Sequence, residues 1–307
     1  MIKKSPHFHL SFLHPRYWLT WFGAGFLYLL VCLPYPIIYR LGRCIGRLSM
    51  YFLRRRVNIT SRNLELCFPE ISLFERQKMV KKNFEALGIG LLESGMAWFW
   101  PDWRVKHWSR LIGLECVEKV QKSRQGILLI GVHFLTLEFA ARILGLHKQA
   151  IGVYRPHNNK VINWIQIYGR TRSNKGLIDR NHIKTMILCL KKGEILWYLP
   201  DHDYGPRSSV FVPFFAVEQA ATTRGTHLLI SKGSANCVPY HLVRLPDAKG
   251  YRMTISPALN NFPLQDETET AASMNKVIEN IIQKAPEQYM WQHRRFKTRP
   301  KGEESLY

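Results

Sequence analysis

The chain has few acidic residues for its size, with 22 Asp and Glu against 44 Lys and Arg in 307 residues. The resulting formal charge of +22 repels itself, so it indicates an anionic partner: a nucleic acid, an anionic membrane, a phosphorylated substrate or an acidic protein. The nine tryptophans favour a membrane or lipid partner, because amphipathic rings prefer the membrane interface. The alternative at this level is a basic soluble protein with ordinary core aromatics.

Paired cysteines are also missing. The six cysteines are Cys32, Cys44, Cys67, Cys116, Cys189 and Cys237. None forms a Cys-x-x-Cys pair and the chain is not small, so neither a disulfide framework nor a zinc site is indicated. We expect reduced core cysteines in a domain that faces the cytoplasm.

Charge is absent from Tyr17 to Tyr39, a length that suits a single bilayer crossing. Pro34 and Pro36 break any helix near the end of this segment, which leaves the unbroken apolar stretch close to the lower limit for spanning. No small-residue cleavage site follows, so the sequence predicts a retained membrane-anchoring helix rather than a signal peptide. The alternative is a buried N-terminal helix of a soluble domain.

The next segment predicts a basic amphipathic helix. Its apolar positions recur at helical spacing, with arginines largely between them: Leu41, Cys44, Ile45, Leu48 and Phe52. Such a helix lies in the lipid headgroup layer. No acidic residue precedes Glu65, and the positive-inside rule then places this side of the membrane in the cytoplasm. The sequence therefore predicts a membrane-attached unit over 1–56 and a second unit over 57–307.

The unit over 57–307 has the pattern of an α/β domain. Ser72 and Glu75 form a capping box that opens a helix running to about Trp98. Short apolar runs predict strands at 126–132, 149–154, 195–199, 237–244 and 251–256, and helices are predicted at 135–145, 159–169, 181–191 and 269–283. Strands that alternate with helices imply a mixed, mostly parallel sheet flanked by helices. The basic tail 293–301 is expected to be exposed.

The first predicted strand ends at His133, and Glu138 follows five residues later. On one continuous helix, residues five apart are rotated by about 140° and do not share a face. The two side chains can meet only if His133 lies in the turn after the strand and Glu138 lies in the first helical turn. Glu138 would then accept the His133 Nδ1 proton and leave Nε2 free as a base. A merely structural pair is the alternative.

The motif resembles the H-x-x-x-x-D/E signature of the glycerolipid acyltransferase superfamily, and the whole chain resembles its lipid A late acyltransferase branch. The resemblance is carried by FLHPRYWLTWFG (12–23), NLELCFP (63–69), GMAWFWPD (95–102), GVHFLTLE (131–138), YRPHNN (154–159), GRTRSNK (169–175), PDHDYG (200–205), PFFAVE (213–218) and PEQYMWQHRRFKTRP (286–300). The pattern is closer to the lauroyl and palmitoleoyl members than to the myristoyl member.

The resemblance implies a reaction. Acyl carrier protein would donate laurate or palmitoleate to a hydroxyl on a 3-hydroxyacyl chain of a Kdo-bearing lipid A precursor, at the cytoplasmic face of the bacterial inner membrane. The protein would be single-pass or monotopic there. His133 would be the general base and Glu138 its orienting partner. Arg155, Arg170 or a backbone N–H would donate hydrogen bonds to the oxyanion. No cysteine matches a nucleophile motif, so direct transfer is expected, without a metal or organic cofactor.

Two further groups of polar residues are candidates for substrate contacts. The first is a basic group suited to lipid phosphates, with a solvated helix face as the alternative: Arg155, Asn158, Asn159, Arg170, Arg172 and Lys175. The second is Asp201 and Asp203, which follow a predicted strand. Alternation places these two acids together and His202 opposite, which makes a poor metal site, so we expect them to hold Arg170 or the base in place.

Two rival functions remain open at this stage. One is a related acyltransferase that acts on another membrane acceptor, such as a glycerophospholipid, with the same site chemistry. The other is a non-enzymatic, basic, membrane-attached binding protein, for example for nucleic acid, in which His133 and Glu138 have no role. The absence of RNA- and DNA-binding motifs argues against nucleic acid as a partner.

Overall fold

The computed structural model describes residues 2–260 and 262–307. Its α-helices are α1 (Trp18–Cys32), α2 (Tyr35–Phe52), α3 (Arg54–Cys67), α4 (Leu73–Phe99), α5 (Asp102–Trp108), α6 (Leu114–Lys122), α7 (Leu137–Gly145), α8 (Lys160–Thr171), α9 (Ile183–Lys191), α10 (Gly225–Gly233) and α11 (Glu267–Ile282). Its strands are β1 (Ser109–Ile112), β2 (Gly126–Ile130), β3 (Ile151–Tyr154), β4 (Gly176–Asp179), β5 (Ile195–Tyr198), β6 (Ser209–Phe214), β7 (Val217–Thr223), β8 (Ala235–Arg244) and β9 (Tyr251–Ile255).

Seven strands form one sheet in the order β1-β9-β8-β2-β5-β3-β4, and β6 and β7 form a separate antiparallel hairpin. Within the large sheet only β8 and β9 pair antiparallel. The predicted α/β fold with a mixed, mostly parallel sheet is confirmed. The four-residue strands β1 and β4, which the sequence patterns did not indicate, form the two edges of the sheet.

Strand β2 lies at the centre of the molecule and is buried along its whole length. Leu128 and Ile130 pack into the core on one face of the sheet, while Ile127 and Leu129 pack into the core on the other face. A strand covered by helices on both sides has no polar face, which is why β2 reads as a continuous apolar run. This burial holds the carboxyl end of β2, where His133 follows, in a rigid setting.

The long helix α4 begins with the predicted capping box. The Ser72 hydroxyl accepts a hydrogen bond from the Glu75 backbone N–H at 3.2 Å, and the Glu75 carboxylate accepts one from the Ser72 N–H at 3.0 Å. The helix buries Phe84 and Met96 and ends at Phe99, two residues before Pro101. It therefore forms the scaffold against which the N-terminal helices pack.

The uncharged N-terminal segment forms two helices rather than one. Helix α1 has 15 residues, about 22 Å of rise, and Pro34 separates it from α2. Within residues 2–260 and 262–307, no helix combines the length and the apolar character needed to cross a bilayer. The amphipathic helix predicted after Pro36 is present as α2, but Leu48 and Phe52 of its apolar positions are largely exposed.

Helix α2 crosses α4 at a point where only glycine fits. Gly42 and Gly46 lie on the buried face of α2 and meet Gly88 of α4. A methyl group at Gly46 would overlap the carbonyl oxygen of Phe84, and one at Gly88 would overlap that of Gly42. These neighbours are backbone atoms, which cannot rotate away, so the crossing requires the two helix backbones to touch.

We expect Gly46→Ala to lower the free energy of unfolding by about 2–3 kcal/mol, because the added methyl forces the helices apart. The matched control is Gly25→Ala in α1, where an added methyl meets no atom within 4 Å. That variant should be neutral or slightly more stable, since Ala favours helix over Gly. Denaturant unfolding of both variants measures the difference, and an equal loss in the two would contradict the close crossing.

Candidate active site

His133 lies in the turn between β2 and α7, and Glu138 lies in the first turn of α7, as the spacing argument requires. The side chain that contacts His133 is nevertheless Asp201. Its Oδ1 lies 2.7 Å from His133 Nδ1, and its Oδ2 accepts the His133 backbone N–H at 2.9 Å. The expected hydrogen bond between Glu138 and His133 is therefore wrong: no such bond is present, and Asp201 occupies the Nδ1 position.

The sheet explains why these two residues meet. Strands β2 and β5 are parallel neighbours, and Ile130 is opposite Tyr198 at their carboxyl ends. His133 and Asp201 each follow three residues later, so the two chains leave the sheet side by side. Polar side chains at the carboxyl edge of an open α/β sheet are the usual place for a ligand site.

Asp201 is completely buried. Burial alone would raise the pKa of its carboxyl group, but the adjacent His133 imidazole and the hydrogen bonds from its ring and backbone lower that pKa well below its usual range. An ionised carboxylate at Nδ1 favours the tautomer with the proton on Nδ1 and leaves Nε2 as a proton acceptor. This geometry would allow His133 to act as a general base oriented by Asp201.

Glu138 instead forms an ion pair with Arg170 of α8. The Arg170 Nε lies 3.0 and 3.1 Å from the two carboxylate oxygens, Nη2 donates a further short hydrogen bond, and Trp98 Nε1 donates at 3.2 Å. Burial opposes ionisation of both groups, but their mutual attraction lowers the pKa of Glu138 and raises that of Arg170. The two side chains therefore form a charged pair that lines the same cavity as His133.

Three histidine rings stack on one another beside Asp201. The rings of His133 and His202 lie 3.5 Å apart at 9°, and those of His202 and His293 lie 4.1 Å apart at 15°. Alternation would have placed His202 away from the acids, but the chain leaves the β5 strand at Tyr198 and turns, so the expectation for His202 is wrong. The His202 ring packs against one face of the His133 imidazole, and Asp201 binds Nδ1 at the edge of that ring.

Burial, and then the neighbouring His133, lowers the pKa of His202 to about 2 and that of His293 to about 4. Both rings are therefore neutral near pH 7. In the unfolded chain each takes up a proton near pH 6.5. Between about pH 6.5 and pH 4 the unfolded state binds more protons than the folded state, so the free energy of unfolding falls as the pH falls.

We expect His293→Asn to reduce the slope of the free energy of unfolding against pH between pH 4.5 and 6. Close to one proton fewer is then taken up on unfolding, which corresponds to about 1.4 kcal/mol per pH unit. Asp201 does not contribute to the slope in this window. Its carboxyl pKa is lowered in the folded protein, so the stability that it provides is constant here and is lost only as the pH falls below the ordinary carboxyl pKa. Denaturant unfolding across the window measures the slope. His147→Asn, at an exposed position outside the cavity, is the control, and an unchanged slope in His293→Asn would contradict the buried neutral stack.

Ligand atoms of His133, Asp201 and His202 lie within 4.8 Å of one another, which raises the question of a metal ion. The rings of the two histidines are nearly parallel and face to face. Their nitrogen lone pairs lie in the ring planes and therefore do not converge on one point, and Nδ1 of His133 already faces Asp201. The donor set therefore fits a metal ion poorly.

Asp203 has a structural position. Its carboxylate accepts hydrogen bonds from the Thr298 N–H at 2.8 Å, the Thr298 hydroxyl at 2.9 Å and the Gly205 N–H at 2.8 Å. These bonds bind the C-terminal segment to the site. The expected exposure of the tail 293–301 is wrong for Arg295 and Phe296, which are buried, whereas Lys297 is exposed.

Most of the predicted basic group does not converge on the cavity. Arg172 donates to the Trp98 carbonyl, and Lys175 pairs with Glu194 at 2.5 Å. Neither side chain lines the cavity. Both cations are prominent in the sequence, but each one binds a partner within the protein and lies outside the cavity lining.

The remaining members of the group differ in their surroundings. Asn159 caps α8, since its side chain accepts from the Val161 N–H at 2.9 Å. Asn158 is exposed and lies outside the cavity lining. Only Arg155, which follows β3, joins Arg170 in lining the cavity.

The cavity beside His133 has a volume of about 1000 Å³. Apolar side chains cover part of its wall, among them Ile183, Met186 and Leu228. Cations that the sequence analysis did not single out lie around it: Arg180, Arg207, Arg224 and Lys297. A cavity with an apolar wall, a charged rim and one oriented histidine is suited to an amphiphilic substrate.

The fold and the site together define an α/β protein with a carboxylate-bound histidine at the carboxyl edge of a mostly parallel sheet, beside a large cavity. The model of the bacterial lipid A biosynthesis acyltransferase family matches residues 5–298. The chain belongs to that family and is an acyltransferase. This removes the non-enzymatic alternative.

Three relatives from Escherichia coli K12 place the chain within the family. It is 59% identical to a lipid A biosynthesis lauroyltransferase over 302 residues, which are 98% of this chain and 99% of the relative. It is 51% identical to a palmitoleoyltransferase over 98% of both chains. It is 32% identical to a myristoyltransferase over 98% of this chain and 94% of the relative. The expected similarity to the lauroyl and palmitoleoyl members is confirmed.

Proposed function

We propose that this protein transfers a fatty acyl chain from acyl carrier protein to a hydroxyl of a 3-hydroxyacyl chain on a Kdo-bearing lipid A precursor. The observation that carries the proposal is the His133–Asp201 pair at the wall of a 1000 Å³ cavity, in a chain of the lipid A acyltransferase family. Laurate or palmitoleate is the acyl group. The higher identity to the lauroyltransferase favours laurate.

The reaction needs one base and one oxyanion donor. Nε2 of His133 takes the proton of the acceptor hydroxyl as its oxygen attacks the thioester carbonyl. The carbon–sulfur bond breaks, the thiolate of the carrier takes the proton from the His133 imidazolium, and an ester and a free thiol result. Asp201 stabilises the imidazolium between these two proton transfers.

Arg170 is the proposed donor to the oxyanion. Its Nε and Nη2 are held by Glu138, while Nη1 makes no hydrogen bond to any residue within 2–260 and 262–307. A guanidinium fixed in this way is preorganised, and preorganised charge is worth most in a site shielded from water. In this scheme Glu138 positions Arg170 rather than His133.

The segment 1–56 is the proposed membrane-facing unit, and 57–307 carries the chemistry. Helix α1 exposes large apolar side chains that share one side of the helix: Trp18, Leu19, Phe22, Phe26 and Leu29. The exposed Leu48, Tyr51 and Phe52 of α2 lie next to the arginines at 54–56. An apolar face bordered by bases suits monotopic attachment to the cytoplasmic face of an anionic inner membrane.

The test is acyl transfer by the purified protein from a panel of acyl-carrier-protein thioesters to a tetra-acylated Kdo-bearing lipid A precursor. We expect lauroyl transfer above palmitoleoyl and myristoyl transfer, and a loss of about 10²–10⁴-fold in His133→Ala. Thermal unfolding of the variant checks that it is folded. Equal transfer by the variant would show that another group is the base, and no transfer with any donor would favour a different membrane acceptor.

A further inference from the structure

The rim of the cavity carries cations that lack a counter-ion. The side chains of Arg155, Arg180, Arg207 and Lys297 all line the cavity and are exposed. None of these four makes a side-chain hydrogen bond or an ion pair to any residue of the described chain. Arg224, the fifth cation of the rim, lies 3.4 Å from Glu267. This distinguishes the rim from Arg170, Arg172 and Lys175, which have partners within the protein.

The acidic residues of the cavity do not balance these charges. Glu138 is paired with Arg170, and Glu267 lies beside Arg224. Asp203 is occupied by Thr298 and the Gly205 N–H. Several like charges therefore face one space without compensation, an arrangement that repels itself when empty and attracts a polyanion.

The cations reach this space from separate parts of the chain. Arg180 follows β4, and Arg207 lies in a short 3-10 helix at 206–208. Lys297 belongs to the C-terminal segment that the Asp203–Thr298 hydrogen bonds hold against the site. Helix α10 begins at the cavity with Gly225, and its first turn has no acidic side chain, so its positive end adds to the field.

We propose that Arg180, Arg207 and Lys297 form an anion subsite that binds a phosphate or carboxylate of the acceptor's sugar headgroup. The inference rests on the proposed function and adds to it the residues that recognise the acceptor. Guanidinium groups bind phosphate and carboxylate oxygens in pairs, with charge-assisted hydrogen bonds. A headgroup with several anionic groups matches several cations better than the donor's phosphodiester, which carries a single negative charge.

The experiment compares wild-type protein, the double variant Arg180→Gln/Arg207→Gln, and the control Arg110→Gln. Arg110 is an exposed arginine of the edge strand β1, outside the cavity. Steady-state transfer is measured with the acceptor varied at saturating donor, and with the donor varied at saturating acceptor. We expect the KM for the acceptor to rise about tenfold or more in the double variant, with little change in kcat or in the KM for the donor. The control should match wild type.

A donor KM that rises in place of the acceptor KM would overturn the inference and assign the cations to the donor's phosphodiester. Unchanged KM values for both substrates would overturn it outright.

A second measurement separates this inference from the proposed function. Inorganic pyrophosphate is titrated against the same three proteins, and thermal unfolding is followed, because a ligand of the folded state raises Tm. Stabilisation of wild type and control but not of the double variant supports the subsite even if no lipid A precursor is acylated. Equal stabilisation of all three proteins would overturn the subsite even if transfer is observed.

Discussion

Replacing Asp201 with asparagine is expected to lower kcat for acyl transfer by about 10²–10⁴-fold, close to the loss in His133→Ala. The asparagine side chain keeps the size of the carboxylate but cannot stabilise an imidazolium. It also offers an N–H to Nδ1, which favours the wrong tautomer of His133. The backbone bond from His133 to Asp201 at 2.9 Å shows that the carboxylate holds both the ring and the chain that carries it.

A double variant distinguishes this role from general destabilisation. Since the two residues act as a unit, the double variant with His133→Ala should be no slower than either single variant. Turnover of Asp201→Asn near that of wild type would contradict the assignment.

The fold was predictable from sequence where burial leaves a simple pattern. The apolar runs of β2, β3 and β5 reflect strands covered on both faces, and Ser72 and Glu75 mark the start of α4 directly. The division of the uncharged segment at Pro34 was predictable in the same way, because proline breaks a helix.

The site was predictable only in part, because its contacts depend on strand order. His133 could be found from its motif, but its partner Asp201 lies 68 residues away and is brought near by the pairing of β2 with β5. The next strand in the chain, β3, does not pair with β2. Spacing along the chain favoured Glu138 for this reason, although PDHDYG had marked Asp201 as a residue that could hold the base.

The sequence pattern likewise could not predict which cations line the cavity. The cluster visible in the sequence, Arg170 to Lys175, lies within one helix and its end, and its members find partners nearby. Arg180, Arg207 and Lys297 come from three separate segments and form no cluster along the sequence. Whether a basic side chain is free to bind substrate depends on its partners in the fold, which a charge pattern does not contain.

Replacing Glu138 with glutamine is expected to stop most transfer by a different route from Asp201→Asn. The change leaves the Arg170 guanidinium largely buried without its counter-charge, which costs about 3–5 kcal/mol of the free energy of unfolding. Arg170 also loses the carboxylate that fixes its orientation. We expect a loss of about 10²–10³-fold in kcat, the range found when one oxyanion donor is removed.

Two comparisons make this prediction specific to the Glu138–Arg170 pair. The double variant Glu138→Gln/Arg170→Gln removes both charges, so it should recover most of the lost stability but none of the lost activity. The single variant Arg170→Gln should lose transfer to an extent similar to Glu138→Gln, because both changes remove the fixed guanidinium. An Arg170→Gln variant that keeps near-wild-type turnover, beside an inactive Glu138→Gln variant, would instead mean that Glu138 acts by a route other than Arg170.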